Sequence, residues 1–310
     1  GKVGVWLFFV LSAFLLTRQF LMTSKPFGTA NLVRFFRRRA QRIVPPYFVA
    51  LFIFFSFNYV IGRSGLLGHL TFVRGDGHFW TIAAEMQFYA LLPAIAAGIV
   101  WLRRCSPVTA LVVMLGVWTA SVALLPPSIF PVSSSFVGAY LCVFLAGCIA
   151  AWWNRERPAF STAMANLLFL ASIGTILFTT PSIWSLLVAP VPADRFYLYY
   201  PLFSVVGVAL VLCCTVKGSL GVAFFSFPPF TFLGRVSFSG YLMHPLALYE
   251  TSSLAGTIGT APALLLSIVA VVLATLALYL AVERPMSDAK FVWLRALIGP
   301  VNAQAKLAGD

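Results

Sequence analysis

Apolar residues run along this chain in long blocks, not at alternate positions and not on one side of each turn. Nine blocks stand out, near residues 3–20, 44–61, 79–101, 108–125, 136–153, 163–179, 197–215, 232–250 and 262–282. Pro- or Gly-rich stretches such as Pro126-Pro127, 190–192 and 226–229 punctuate them. Blocks of about 17–25 apolar residues are long enough to cross a hydrocarbon core of roughly 30 Å. The pattern predicts an all-α, polytopic transmembrane helix bundle with nine spans. The first block is followed by Arg18, Lys25 and an arginine cluster. A signal peptide carries its positive charge before its apolar run, so the first block is read as a true span that enters from outside.

One segment differs in kind. Residues 31–44 read N-L-V-R-F-F-R-R-R-A-Q-R-I-V. Leu32, Phe35, Phe36 and Ile43 follow helical spacing, and Arg34, Arg38 and Arg42 recur at i, i+4 and i+8 on another face. This predicts an interfacial amphipathic helix that ends at Pro45-Pro46, where the second span begins. The expected layout is a membrane domain over 1–286, which includes the basic helix, and a short cytoplasmic tail over 287–310.

Composition agrees with the pattern. The chain is 61% hydrophobic and 9% charged, against about 25% charged in soluble domains. The net charge of +13 does not point to nucleic acid, because the basic residues lie between the apolar blocks, where the positive-inside rule places them. With nine alternating spans, 17 of the 21 Lys and Arg fall on the cytoplasmic side, and only Lys2, Arg63, Arg74 and Arg195 fall outside. A missed span would invert every later loop. The five cysteines lie in no segment placed outside, which argues against a disulfide framework.

Buried polar groups carry the chemical information in such a protein. Glu85 lies about 7–8 Å inside the third span by helical rise. Either it is a hydrogen-bonded carboxyl that orients helices, or it is a site residue. His244 lies roughly 9 Å from the outer end of its span. It precedes Pro245, which should kink the helix or free a carbonyl. The cluster from Arg34 to Arg42 either sets topology and binds anionic lipid head groups, or holds a phosphate-bearing donor through charge-assisted contacts. His69, Asp76 and His78, in an outer loop, match no strong metal pattern. There is no Gly-x-Ser-x-Gly elbow, Walker loop or dinucleotide fingerprint.

Four segments together carry a resemblance. Residues 4–16 read G-V-W-L-F-F-V-L-S-A-F-L-L, residues 38–47 R-R-A-Q-R-I-V-P-P-Y, residues 80–89 W-T-I-A-A-E-M-Q-F-Y and residues 237–245 S-F-S-G-Y-L-M-H-P. Glu283-Arg284-Pro285 follows the last span. In order and spacing the set resembles the acyltransferase-3 family of integral membrane acyltransferases. Trp6 stands where that family has an acidic residue, and Ala13 where it has Gly. The resemblance implies ten spans, with a catalytic histidine on a first span that would precede Gly1. That histidine is not in this sequence, and the chain as it stands is expected to be inactive. The resemblance also implies acyl transfer, often of acetyl, from cytoplasmic acyl-CoA to a hydroxyl of an envelope glycan, a lipid-linked sugar or a glycoside. No permanently bound cofactor and no metal are expected. The expected partners are acyl-CoA, the acceptor and membrane lipids, and the expected location is a bacterial inner membrane. Arg38, Arg39 and Arg42 would contact the CoA phosphates, while Glu85 and His244 would support the site from the outer half. The competing readings are a transporter of a glycan or lipid, with Glu85 in its pathway, and a non-catalytic membrane scaffold.

Overall fold

The structure, a computed structural model, describes residues 2–57, 65–130, 133–157, 159–187 and 199–287. Most of the expected tail, together with Arg63, Arg195, Lys290, Arg295 and Lys306, lies outside the described residues. The described residues form helices and no strand. In chain order these are α1 (Lys2–Met22), α2 (Thr29–Ser56), α3 (Leu66–Leu70), α4 (Trp80–Cys105), α5 (Pro107–Leu124), α6 (Leu141–Glu156) and α7 (Thr162–Phe178). There follow α8 (Pro181–Leu187), α9 (Tyr200–Cys213), α10 (Leu220–Phe225), α11 (Pro228–Ser252), α12 (Ala255–Ile258), α13 (Thr260–Leu278) and α14 (Arg284–Ser287). A helix therefore lies at each of the nine apolar blocks. Among the described residues, five helical stretches are long and apolar enough to cross a membrane: Lys2–Met22, Gly77–Cys105, Pro107–Leu124, Val137–Glu156 and Thr260–Ser287. Thr162–Phe178 and Tyr200–Cys213 are shorter apolar helices.

The expected break at Pro45-Pro46 is corrected. α2 runs unbroken from Thr29 to Ser56 with both prolines inside it. The two rings remove the amide donors for the carbonyls of Gln41 and Arg42. The buried stripe nevertheless continues through them, as Phe35, Ile43, Pro46, Tyr47, Ala50, Leu51 and Phe54. This three-and-four spacing keeps one face in contact along the whole helix, and the packing outweighs the local loss. The basic segment is thus the first half of a long helix and not a separate one.

The chain divides into two compact units. The first holds residues up to Val33 and from Val60 to Leu233. In it, α1 packs most extensively on α6, α9 packs on both, and α7 packs on α9. α4 and α5 extend the layer. The close approach of α1 and α6 depends on Gly147, where a Cβ would collide with the carbonyl oxygen of Val10 and the side chain of Ala13. Phe144 stacks on Phe9 at 4.5 Å and on Phe88 at 4.2 Å, and so joins α1, α4 and α6. At one end Arg103 reaches Glu156 at 3.1 Å, so α4 and α6 finish side by side, as the expected sidedness requires. At the other end Gln87 joins the segments that lead into the same two helices. Its Nε2 donates to the carbonyls of Phe72 (3.0 Å) and Ser135 (2.9 Å), and its Oε1 accepts from the Val137 amide (3.0 Å). Phe72 has a φ of 57°. That conformation is strained for a bulky side chain, and it is held where its carbonyl meets Gln87.

The second unit holds residues 34–59 and 234–310. Here α11 and α13 are tied by Thr251 and Ser267, whose hydroxyls lie 2.6 Å apart. α13 leaves Leu264, Leu265, Ile268 and Leu273 more than half exposed, as a lipid-facing helix would. A π-helical turn, Tyr279–Glu283, leads from α13 into α14.

Candidate functional site

Among the described residues, each unit holds one buried carboxyl with built-in partners. In the first unit it is Glu85, 2% exposed on α4. A carboxyl at such depth is stable only with hydrogen-bonding partners around it. Ser12 of α1 donates to its Oε1 at 2.9 Å. Tyr89, one turn further along α4, also donates to Oε1. The two hydroxyl oxygens lie 2.9 Å apart. Ser12, Glu85 and Tyr89 are all buried, with Phe9, Phe88, Ala83 and Ala84 at 0% exposure in the same helices. The sequence alone does not single out Ser12 and Tyr89. Both stand in quoted motifs, but a lone Ser or Tyr in an apolar run is not conspicuous until the fold brings it against a carboxyl.

The outer-loop trio divides. His69, fully buried, lies 3.2 Å from Asp76, and Arg74 donates to Asp76 at 2.9 Å. Partial burial raises the Asp76 carboxyl, but the hydrogen bonds from Arg74 and His69 outweigh it and leave its pKa below the ordinary value. His78 packs its ring on Phe79 at 4.1 Å. Among the described residues no three His, Cys, Asp or Glu converge as metal ligands. The five cysteines are all free.

In the second unit the basic half of α2 leaves Arg38 and Arg42 exposed and Arg39 half-buried. None of the three is in an ion pair among the described residues. Exposed guanidiniums with no carboxylate in contact keep their planar forks available for phosphate. His244 is half-buried on α11. Its Nδ1 lies 2.9 Å from the Tyr241 carbonyl and 3.3 Å from that of Gly240. Tyr241 is four residues before Pro245, so its carbonyl has lost its helical donor. The imidazole supplies a replacement, and the freed carbonyl expected from Pro245 is thereby satisfied within the helix. The second unit's buried carboxyl is Glu283, 4% exposed. It accepts from the Ser239 hydroxyl at 2.5 Å and the Ser239 amide at 3.2 Å. Glu283 and Ser239 stand in two of the motifs, where neither is conspicuous as a site residue. The contact that gives them meaning spans 44 positions.

The predicted site residues thus fall into two sets: Glu85 in the first unit, and Arg38, Arg39, Arg42 and His244 in the second. Comparison with known proteins agrees with the motifs. The family described as an acyltransferase domain matches residues 1–282. The peptidoglycan O-acetyltransferase OatA of Listeria monocytogenes serovar 1/2a (strain ATCC BAA-679 / EGD-e) is 26% identical over 281 residues, which is 79% of this chain and 44% of that protein. The chain therefore spans less than half the length of this curated relative. No solved structure gives a significant match. With four motifs in family order, and a match that runs from the first helix to the π-helical turn, the chain belongs to the acyltransferase-3 family.

Proposed function

We propose that this protein transfers an acyl group, acetyl in the simplest case, from acyl-CoA on the cytoplasmic side of a bacterial inner membrane to a hydroxyl of a cell-envelope glycan. The observation that carries the reading is the set Arg38, Arg39 and Arg42 on α2, the first and last exposed and Arg39 half-buried, with no ion pair among the described residues. A chain that needed these charges only to set topology would do as well with lysines. Closely spaced guanidiniums suit the bidentate recognition of phosphate. OatA, named as a peptidoglycan O-acetyltransferase, supports acetyl as the group and a glycan as the acceptor. Glu85, held between Ser12 and Tyr89, supports the acceptor side by fixing α1 against α4. His244 keeps its supporting role, with its Nδ1 occupied by its own helix.

The test is acylation of glycan acceptors by labelled acetyl-CoA in membranes that carry the protein expressed from its whole reading frame. Arg42→Ala should raise the donor KM by about tenfold or more, the scale of one lost charge-assisted contact, with normal accumulation. An unchanged donor KM would remove Arg42 from the donor site. Movement of a glycan or lipid across the membrane, with no acylation over a broad panel of donors and acceptors, would favour a transporter instead.

A further inference from the structure

Buried polar groups nearly always have hydrogen-bond partners, and the exceptions call for an explanation. Four buried side-chain atoms have none among the described residues: the indole nitrogens of Trp118, Trp152 and Trp153, and the phenol oxygen of Tyr200. An indole N–H can only donate, whereas a phenol can donate and accept. Trp152 and Trp153 stand in the last turn of α6, and Trp118 lies on the largely exposed α5. Tyr200 has a different setting. It is the first residue of α9, and its ring lies 5.9 Å from that of Trp6 and 5.7 Å from that of Tyr140. Tyr140 in turn stacks on Trp80 at 4.8 Å.

Four helices of the first unit thus bring one aromatic ring each to the same place: Trp6 from α1, Trp80 from the start of α4, Tyr140 from just before α6 and Tyr200 from the start of α9. The place is the end of the unit opposite Arg103 and Glu156, which charge placement puts outside. Tyr and Trp are common at membrane interfaces as anchors toward the head groups. Such anchors are exposed, whereas these four rings are at most 5% exposed. Glu85 lies about 7–8 Å deeper than Trp80, and Ser12 about 9 Å deeper than Trp6, by helical rise.

Packing alone does not require a hydroxyl at residue 200. A phenylalanine would fill the same space against Trp6 and Tyr140 without burying an oxygen that has no partner among the described residues. Such an oxygen lowers the stability of the resting protein. A binding site tolerates that loss, because the partner arrives with the ligand.

We infer that Tyr200 is a binding residue for the acceptor: its phenol hydrogen-bonds a hydroxyl of the glycan, and the flanking rings of Trp6 and Tyr140 keep water from that contact. The inference rests on the reading of the protein as an acyltransferase that acts on glycan hydroxyls. It assigns Tyr200 to the acceptor and not to the donor, and it ties function to stability with opposite signs.

The experiment compares wild type with Tyr200→Phe in membranes carrying the protein from its whole reading frame. Labelled acetyl-CoA is the donor and soluble peptidoglycan glycan fragments are the acceptor probe. Tyr200→Phe should raise the acceptor KM about five- to tenfold, the scale of one lost hydrogen bond, with the donor KM within about twofold. Its melting temperature in detergent should equal or exceed that of wild type. An unchanged acceptor KM, beside an active wild type, overturns the inference and leaves the acyltransferase reading in place. A donor KM that rises in step, or a fall in kcat alone, overturns it as well. A lower melting temperature, or failure of Tyr200→Phe to accumulate, shows that the hydroxyl serves the resting fold and overturns it too. Absence of acetylation by wild type removes the acyltransferase reading for this acceptor and the inference together.

Discussion

At the scale of single residues, the chain concentrates its polar chemistry where burial makes partners obligatory. Glu85 takes two hydroxyl donors on one oxygen, from Ser12 and Tyr89. Tyr89→Phe removes one donor and leaves the packing, so a buried carboxyl loses part of its hold. That should destabilise by about 1–3 kcal/mol, read as a drop of roughly 2–6 °C in the melting temperature of the detergent-solubilised protein. Glu85→Gln keeps the volume and should lower turnover with normal accumulation; normal turnover would leave Glu85 a purely structural group. That Glu85 would be a buried carboxyl in need of partners was legible in the sequence, because a carboxyl inside an apolar run is conspicuous. Which hydroxyls serve it was not, because Ser12 lies 73 positions away and no local pattern links the two.

At the scale of elements, close packing in the first unit is bought with small residues. Gly147→Ala would place a Cβ against the Val10 carbonyl, 2.7 Å from the Ala13 Cβ and 3.0 Å from the Phe14 amide nitrogen. Neither backbone atom can yield cheaply, so the expected cost is about 1–3 kcal/mol. Gly98, on an exposed face of α4, has nothing within 4 Å of its Cβ position. Gly98→Ala should stay within about 0.5 kcal/mol of wild type or stabilise slightly. Equal melting temperatures for the two variants would mean that α1 and α6 do not pack as described. The helices themselves were legible as apolar blocks. The error at Pro45-Pro46 has a physical source: proline chemistry is local, whereas the buried stripe of α2 continues on both sides of it. A stop signal read residue by residue cannot register the packing that overrides it.

At the scale of the whole molecule, acid sensitivity rests on few groups, since the chain has eight carboxylates against 21 basic side chains. Asp76 is one of them, in the loop that Gln87 and Ser135 tie to the segment before α6. Its folded pKa lies below the ordinary value. The stability it contributes is therefore present above that ordinary value and is lost as pH falls through the lower, folded one. Asp76→Asn should melt earlier than wild type at neutral pH, and the gap should close as pH drops below the usual carboxylate range. A gap that stays constant with pH would show that the contacts of the Asp76 carboxylate with Arg74 and His69 are not its cause.

The sequence by itself determined that this is a helical membrane protein of the acyltransferase-3 family, because block length, charge placement and motif order are properties of the chain read in line. It also marked Glu85 as a carboxyl inside an apolar block and the arginines as a basic cluster. Only the tertiary structure decided who meets whom: Ser12 and Tyr89 on Glu85, Ser239 on Glu283, and His244 on the carbonyl that Pro245 leaves bare. Two of these meetings depend on helices that are remote in the chain and on a π-helical turn that shifts one face by a single residue. Hydrophobic periodicity says that a face is buried, but a buried polar group finds its partner through the packing of one helix on another.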